Sequence, residues 1–400
     1  MQLKPNTLIT ACKTSSHLKS PQCSMSNKFT EDDFRWMKQA IELADRGRGY
    51  VAPNPLVGCI IVSSEGNVVG EGFHERYGQA HAEINAINSV RDKSELIDAT
   101  MYVTLEPCSH TGKTPSCAKE ILDLPLKRIV IGMQDPNPLV NGEGVAILKK
   151  SNRFKVETGC MEREVRRQNE AFVHYMRFQK PFVTLKIAQT VDGYVAAPDG
   201  NSKWISCEES RKKVHEWRSY YDAVMVGRNT AQIDNPNLTV RHVEGRQPRR
   251  IVIDGDLSLP ANLNVFTDQH EQKTIVLTHN KEKYEQTADP MLQLLKSDYF
   301  RGETVLVSKK EGHTDLNHAM ELLGEMQITS ILVEAGSQLA SAMIKDNVVD
   351  KLHVFIVPKL LGGGTRSLLG VGRDRMEDIL DLHDANWEQV GSDMLLTGYF

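Results

Sequence analysis

Two stretches of this chain alternate short apolar runs with segments of helical period, and a Lys180-Pro181 step stands between them. In the first, LVGCIIV (56–62), ATMYVTLEP (99–107) and KRIVIGM (127–133) read as buried strands, with HAEINAINSV (81–90) and CAKEILDL (117–124) as helices between them. Ahead of these, DDFRWMKQAIELAD places Phe34, Met37, Ile41 and Leu43 at helical spacing behind a capping Thr30. A polar helical stretch, Val165 to Phe178, closes this unit. In the second, PFVTLKIAQTVDGYVA, DAVMVG, RRIVIDG, KTIVLTH, ITSILVEAG and KLHVFIV read as strands, and CEESRKKVHEWRSYY, 315–326 and SQLASAMIKD as helices. Such alternation predicts layered α/β domains. A length of 400 residues exceeds what one core usually organises, so two domains are expected, 30–178 and 179–400, behind an extension over 1–29.

Composition narrows the class of function. A net charge of −4 argues against a protein living by contact with nucleic-acid backbone, and no apolar run approaches a spanning helix of about 20 residues. Small molecules are the expected partners, without nucleic acid or membrane. The 7 cysteines are odd in number and sparse, unlike a disulfide framework, which implies a reducing compartment such as the cytoplasm. Residues 1–28 hold Lys4, Lys13, Lys19 and Lys28, and no acidic residue precedes Glu31. This composition fits a disordered extension, or a segment ahead of a start at Met25. Plastid targeting is the alternative, weakened by the lack of arginine and of amphipathic period.

His81, Cys108 and Cys117 offer one imidazole and two thiols, a donor set that suits zinc. Each is expected at an element end: His81 and Cys117 opening helices, Cys108 just past a strand. A helix start favours the thiolate that a metal needs. Three protein ligands leave a tetrahedral position open for water, the mark of a catalytic site; His110 could instead supply a fourth and make the site structural. Glu83, two residues from His81, favours catalysis, because a carboxylate there can move a proton from water to a leaving ammonia.

The H-x-E and P-C motifs follow the zinc-deaminase pattern, but SHTGKTPS separates the two cysteines where the usual signature has two residues. With APNPLVGCIIV, GEGFHERYGQAHAE and DPNPLVNGEG, this long interior resembles the pyrimidine deaminase domain of the bifunctional riboflavin-biosynthesis deaminase/reductases. The resemblance implies a cytidine-deaminase-like three-layer α/β/α domain with zinc on His81, Cys108 and Cys117 and Glu83 as proton shuttle. It further implies substrate contacts from Asn54, His74 and Lys113. Lys113 and Ser116 stand where relatives often carry arginine and proline, which puts the finer contacts of this loop in question.

The second half has no G-x-G-x-x-G after an early strand, so a Rossmann site is not expected. It does run strands through Gly227 and Gly336 into helix starts, two natural phosphate cradles. TLKIAQTVDGYVA, GNSKWIS, GRNTAQIDNPNLTVR, ILVEAGSQLA and PKLLGGG resemble the reductase half of the same enzymes, of dihydrofolate-reductase-like α/β fold. That resemblance implies NADPH lined by Ala188, Trp204, Thr230, Asp234, Gly336, Ser337, Gln338, Leu339, Ala340, Ser341 and Ala342. Ser202, Arg218, Leu238, Arg241 and Glu334 would meet the phosphosugar substrate, two arginines suiting a phosphate. Arg228 is a further candidate for the cofactor's 2'-phosphate, and Lys186 and Asp192 read as structural or orienting. The run RHVEGRQPRR has no interleaved aromatics and reads as a solvated loop with one phosphate-binding arginine.

The expected function is therefore hydrolytic deamination of 2,5-diamino-6-(5-phosphoribosylamino)pyrimidin-4-one, then NADPH-dependent reduction of its ribosyl group to ribityl, by a homo-oligomer. The alternatives are a chain with one working half, an RNA-editing deaminase with an appended domain, and a zinc-stabilised module without turnover.

Overall fold

The computed structural model describes residues 28–109, 116–137, 142–268, 274–285, 303–372 and 374–400. The helix Glu31–Ala44 opens on a capping box: the Thr30 hydroxyl accepts from Asp33 N–H at 3.2 Å, and the Asp33 carboxylate accepts from Thr30 N–H at 2.8 Å. Strands β1 (Gly58–Val62), β2 (Val68–Phe73), β3 (Thr100–Leu105), β4 (Arg128–Met133) and β5 (Lys155–Thr158) form one sheet in the order β2-β1-β3-β4-β5. β1 runs antiparallel to both neighbours, and β3, β4 and β5 are parallel. Both faces are covered, which gives three layers. Helices Ala82–Ser89, Cys117–Leu122 and Glu143–Lys150 bury Ile61, Met101, Val103, Ile129 and Ile131 on one face. Met37 and Ala40 of the first helix cover Ile60, Tyr102 and Val130 on the other.

The chain then crosses through helices Glu162–Gln168 and Glu170–Phe178 into a second sheet. Its strands are β6 (Phe182–Thr190), β8 (Ala223–Gly227), β9 (Arg249–Ile253), β10 (Thr274–Thr278), β11 (Glu303–Leu306), β14 (Ser330–Glu334), β15 (Lys351–Val357), β17 (His383–Val390) and β18 (Asp393–Tyr399). Short β7 (Tyr194–Ala196) pairs with β16 (Thr365–Arg366), and β12 (Lys309–Lys310) with β13 (His313–Thr314). The nine-stranded order is β11-β10-β9-β8-β14-β6-β15-β18-β17, parallel except where β18 joins β15 and β17. Helices Leu316–Glu325 and Ser337–Lys345 bury Ala319, Leu323, Ala340 and Met343 against one face. The helix Glu208–Tyr220 contributes Val214 and Trp217 to a cluster with Phe355 and Leu395. Among the described residues, no helix is long and apolar enough to cross a membrane.

The expected strands and helices are present. β2, β5, β17, β18 and the helix Glu143–Lys150 go beyond the sequence reading, for a physical reason. β2 carries two glycines and exposed Val68 and Glu71, and β17 is exposed along most of its length, so neither shows a buried-strand pattern.

Candidate metal centre and reductase cleft

Three element ends meet past the C-terminal end of β3, the central strand of the first sheet. His81 is the N-cap of Ala82–Ser89, in extended conformation, and its side chain makes no capping bond, which leaves the ring available. Gly72 allows this helix to lie on β2, since a Cβ there would stand 2.3 Å from Ala86 N. Cys108 follows Pro107 beyond β3, where Gly144 passes so close that a Cβ would meet Pro107 O at 1.9 Å. Cys117 is the first residue of its helix, and its N–H donates to Cys108 Sγ at 3.3 Å. His81 Nδ1 lies 3.2 Å from Cys117 Sγ and 3.6 Å from Cys108 Sγ, and the three donor atoms fall within 4.8 Å of one another.

The chemistry of this donor set fits zinc. Contacts with Cys117 and His81 pull the Cys108 thiol well below its ordinary value, while the Cys108 contact pushes Cys117 up. Two thiolates this close repel, and a divalent cation between them lets both ionise. Glu83 is buried beside them, and burial pushes its carboxyl up to about 7. His110, the alternative fourth ligand, and Lys113 lie outside the described residues.

His74 and Asn54 come together on the same side. His74 Nδ1 is 3.1 Å from Ala80 O, an acceptor, so the ring proton sits on Nδ1. Nε2 then accepts from the Asn54 amide at 3.1 Å. The His74 ring packs edge-on to His81, 5.6 Å between centroids. Burial, opposed by the Ala80 bond and aided by His81, holds His74 below its usual value and neutral.

Two residues that support the centre were not singled out from sequence. Glu106, buried before Pro107, accepts from the N–H groups of Asp135 at 3.2 Å, Gly142 at 3.1 Å and Val145 at 3.0 Å, tying the cysteine segment to the neighbouring loop and helix. A carboxylate at a buried strand end was the available signal. Asn169 brackets Leu56 on both main-chain groups. Ser116, buried, donates from Oγ to Cys108 O at 2.7 Å.

In the second sheet, β8 and β14 are parallel neighbours, so their glycine turns stand side by side. A Cβ on Gly336 would lie 3.2 Å from Thr230 Oγ1, and one on Gly227 would lie 3.5 Å from Leu339 Cδ2. Asn229 Nδ2 donates to Gln338 Oε1 at 3.0 Å across the pair. The first bond of the helix Ser337–Lys345 runs from Ala340 N to Gly336 O, so the N–H groups of Ser337, Gln338 and Leu339 precede the helical ladder. Ala340 is packed into the core, while the Ser341 hydroxyl donates to Ser337 O at 2.6 Å and accepts from Leu369 N at 2.7 Å. Ala342 packs against the same core from a partly buried position. These three residues thus pack and bond within the protein around the turn.

Ala188 lies on the C-terminal half of β6, beside Phe355. Trp204 is 69% exposed with the Arg211 guanidinium 4.9 Å over its ring, and Ser202 lies two residues before it in the same loop. Burial raises the carboxyl of Asp234, the last residue of the helix Arg228–Asp234, against the opposing charge of Lys203.

The phosphosugar candidates separate into different roles. Arg218 closes its fork on Glu334, Nε to Oε1 at 2.6 Å and Nη2 to Oε2 at 2.9 Å, and donates from Nη1 to Thr239 O at 2.9 Å. Burial pushes Glu334 up, but Arg218 and Lys186 outweigh it and keep the carboxylate ionised. Arg241 contacts Thr239 Oγ1 at 3.0 Å, and its main-chain N–H donates to His215 at 3.1 Å, so it is the freer of the two arginines. Leu238 is 2% exposed in an apolar cluster. Arg228 is held at Ser258 Oγ, 3.2 Å away. Asp192 accepts from Leu361 N–H at 3.2 Å and Gly362 N–H at 2.7 Å, a structural clamp. The rest of the basic run is engaged internally: Arg246 with Asp222 at 3.3 Å, Arg249 with Glu303 at 3.9 Å and Arg250 with Asp268 at 2.7 Å.

Comparison with known proteins matches both domains. Residues 30–133 match the cytidine and deoxycytidylate deaminase zinc-binding region, and residues 181–396 match the RibD C-terminal domain. The riboflavin biosynthesis protein RibD of Actinobacillus pleuropneumoniae is 39% identical over 93% of this chain and 96% of its own length. That of Escherichia coli is 36% identical over 92% of this chain and 98% of its own length. Among solved structures, the diaminohydroxyphosphoribosylaminopyrimidine deaminase/5-amino-6-(5-phosphoribosylamino)uracil reductase of Thermotoga maritima superposes with a TM-score of 0.80 at 36% identity, covering 92% of this chain and 98% of that one. Acinetobacter baumannii RibD gives a TM-score of 0.79 at 32% identity, with 92% and 98% covered. The expected succession of a deaminase-type and a reductase-type α/β domain therefore holds. With matches spanning both domains, this chain belongs to the RibD family of riboflavin biosynthesis proteins.

Proposed function

We propose that the N-terminal domain hydrolytically deaminates 2,5-diamino-6-(5-phosphoribosylamino)pyrimidin-4-one and that the C-terminal domain reduces the ribosyl group of the product to ribityl with NADPH. The convergence of His81, Cys108 and Cys117 within 4.8 Å, beside a buried Glu83, carries this reading. Those three side chains would hold zinc, which when bound supplies Lewis-acid activation of a water molecule. Glu83 then takes a proton from the attacking water and returns it to the departing ammonia. Asn54, oriented by its bond to neutral His74, meets the edge of the pyrimidine, and Lys113 meets the ribose phosphate.

In the C-terminal domain NADPH supplies the hydride. The paired turns after β8 and β14 would receive its phosphates on the N–H groups of Ser337, Gln338 and Leu339, with Thr230 and Gly336 beside them. Ala188, Trp204 and Asp234 line its flanks. Arg241 receives the substrate phosphate, while the Arg218–Glu334 pair and Ser202 orient the sugar. The partners are small molecules. Five described cysteines are free thiols, in keeping with the cytoplasm, and a homo-oligomer is the expected assembly.

Assaying both half-reactions on the purified chain tests the reading. Glu83→Ala is expected to cut ammonia release by at least about a hundredfold while NADPH oxidation with the deaminated substrate persists. Loss of both activities in a folded variant, or retention of both, overturns the two-site assignment.

A further inference from the structure

The residues that match the zinc-binding deaminase region end at 133, yet the loop carrying Asn54 is held from outside that region. Asn169, 3% exposed, stands between the two crossing helices, Glu162–Gln168 and Glu170–Phe178. Its Oδ1 accepts from Leu56 N–H at 2.7 Å, and its Nδ2 donates to Leu56 O at 3.0 Å and to Val165 O at 3.4 Å. One side chain thus satisfies both main-chain groups of the residue two positions after Asn54. Asn54 in turn fixes His74.

The next residue, Glu170, belongs to the domain contact. Lys351 Nζ on β15 lies 2.8 Å from Glu170 Oε1, and the Tyr399 hydroxyl on β18 donates to Oε2 at 2.7 Å. The two domains here flank a cavity of ≈ 410 Å³ whose lining includes Asn54, Asn169, Glu170 and Lys351. Polar bonds at Glu170 and Asn169, alongside an apolar cluster that holds Phe172 and Val173 with Val57, therefore link the second sheet to the Asn54 loop.

We infer that Asn169 is a positioning residue for the pyrimidine site, and that the C-terminal domain seats it through Glu170. This rests on the deaminase reading above. Asn169 touches neither the metal ligands nor Glu83, so its loss should weaken ground-state binding and leave the proton shuttle in place.

The test measures the deaminase KM and kcat, the reductase kcat/KM on the deaminated substrate, and the zinc content of the full chain. Asn169→Asp keeps shape and the acceptor for Leu56 N–H but sets a carboxylate oxygen against Leu56 O. It is expected to raise the deaminase KM about tenfold, with kcat within about twofold and zinc and reductase values unchanged. Asn169→Ala should do the same. Lys351→Met, which removes one of the two bonds from the second sheet to Glu170 and leaves that of Tyr399, should raise the same KM about threefold. Unchanged KM in the folded Asn169→Asp chain, or a fall in kcat at constant KM, overturns the inference. Should the alanine variant fail to fold, the isosteric aspartate decides. A wild-type chain that releases no ammonia would instead sink the deaminase reading itself.

Discussion

At the residue scale, the eight residues of SHTGKTPS raise the question of how a long interior still brings Cys117 back to Cys108. The answer lies at its end. Ser116 Oγ and Ala118 N–H both reach Cys108 O, at 2.7 and 3.1 Å, so the main chain of one ligand is tied to the residues flanking the other. Ser116 thus adds a hydroxyl bond between the two cysteine segments. Ser116→Ala is expected to weaken zinc retention by several-fold up to about tenfold in chelator competition, with the reductase half unaffected. His81, Cys108 and Cys117 could be singled out in sequence as candidate donors, and the structure brings them within 4.8 Å of one another. The closure of Arg218 on Glu334 was not, because an arginine 116 residues away in sequence from its carboxylate gives no local sign of pairing.

At the element scale, the first helix is fastened to the sheet by one buried carboxylate. Asp33 serves the capping box, accepts from the Tyr102 hydroxyl at 2.8 Å and pairs with Arg128 at 2.5 Å. Burial pushes its carboxyl up, but Arg128, Thr30 and Tyr102 outweigh that and hold it at about 2, against 3.8 for an ordinary aspartate. A depressed carboxyl stabilises the fold above its unfolded value and loses that contribution as pH falls from about 4 towards 2. Asp33→Asn should therefore destabilise the chain at pH 7 by roughly 2–4 kcal/mol and flatten this part of the acid-unfolding profile, as followed by thermal melts from pH 7 downwards. An Asn variant with an unaltered acid profile would refute the assignment. The helix itself was readable from Thr30 and its apolar spacing. Its long-range fastening was not, since Arg128 is 95 residues away.

At the scale of the whole molecule, the two sheets are joined where the chain crosses between them. The Tyr175 hydroxyl donates to Gly324 O at 3.0 Å, and a Cβ on Gly324 would stand 2.1 Å from Gln179 O. Arg167 and Arg163 meet Asp384 at 3.1 and 3.2 Å on the exposed flank, where such pairs contribute little. Tyr175→Phe is expected to destabilise the crossing by about 1 kcal/mol, and Gly324→Ala by more, because the methyl must displace main chain. Calorimetry should rank the variants in that order; the reverse ranking would show that packing at Gly324 relaxes freely.

Periodicity and local chemistry were enough to indicate two α/β units and the glycine turns, and to single out His81, Cys108 and Cys117, whose side chains the structure brings together, because each is written in neighbouring residues. Tertiary structure alone decided which turns stand together. β8 and β14 are adjacent although about a hundred residues separate them, and that adjacency sets two ordinary strand-glycine-helix corners side by side. It also decided that Asn169, beyond the deaminase match, brackets the Asn54 loop, and that most of the RHVEGRQPRR cations face carboxylates of their own chain. Sheet order and burial set these contacts, and neither is encoded in the spacing of residues along a strand or helix.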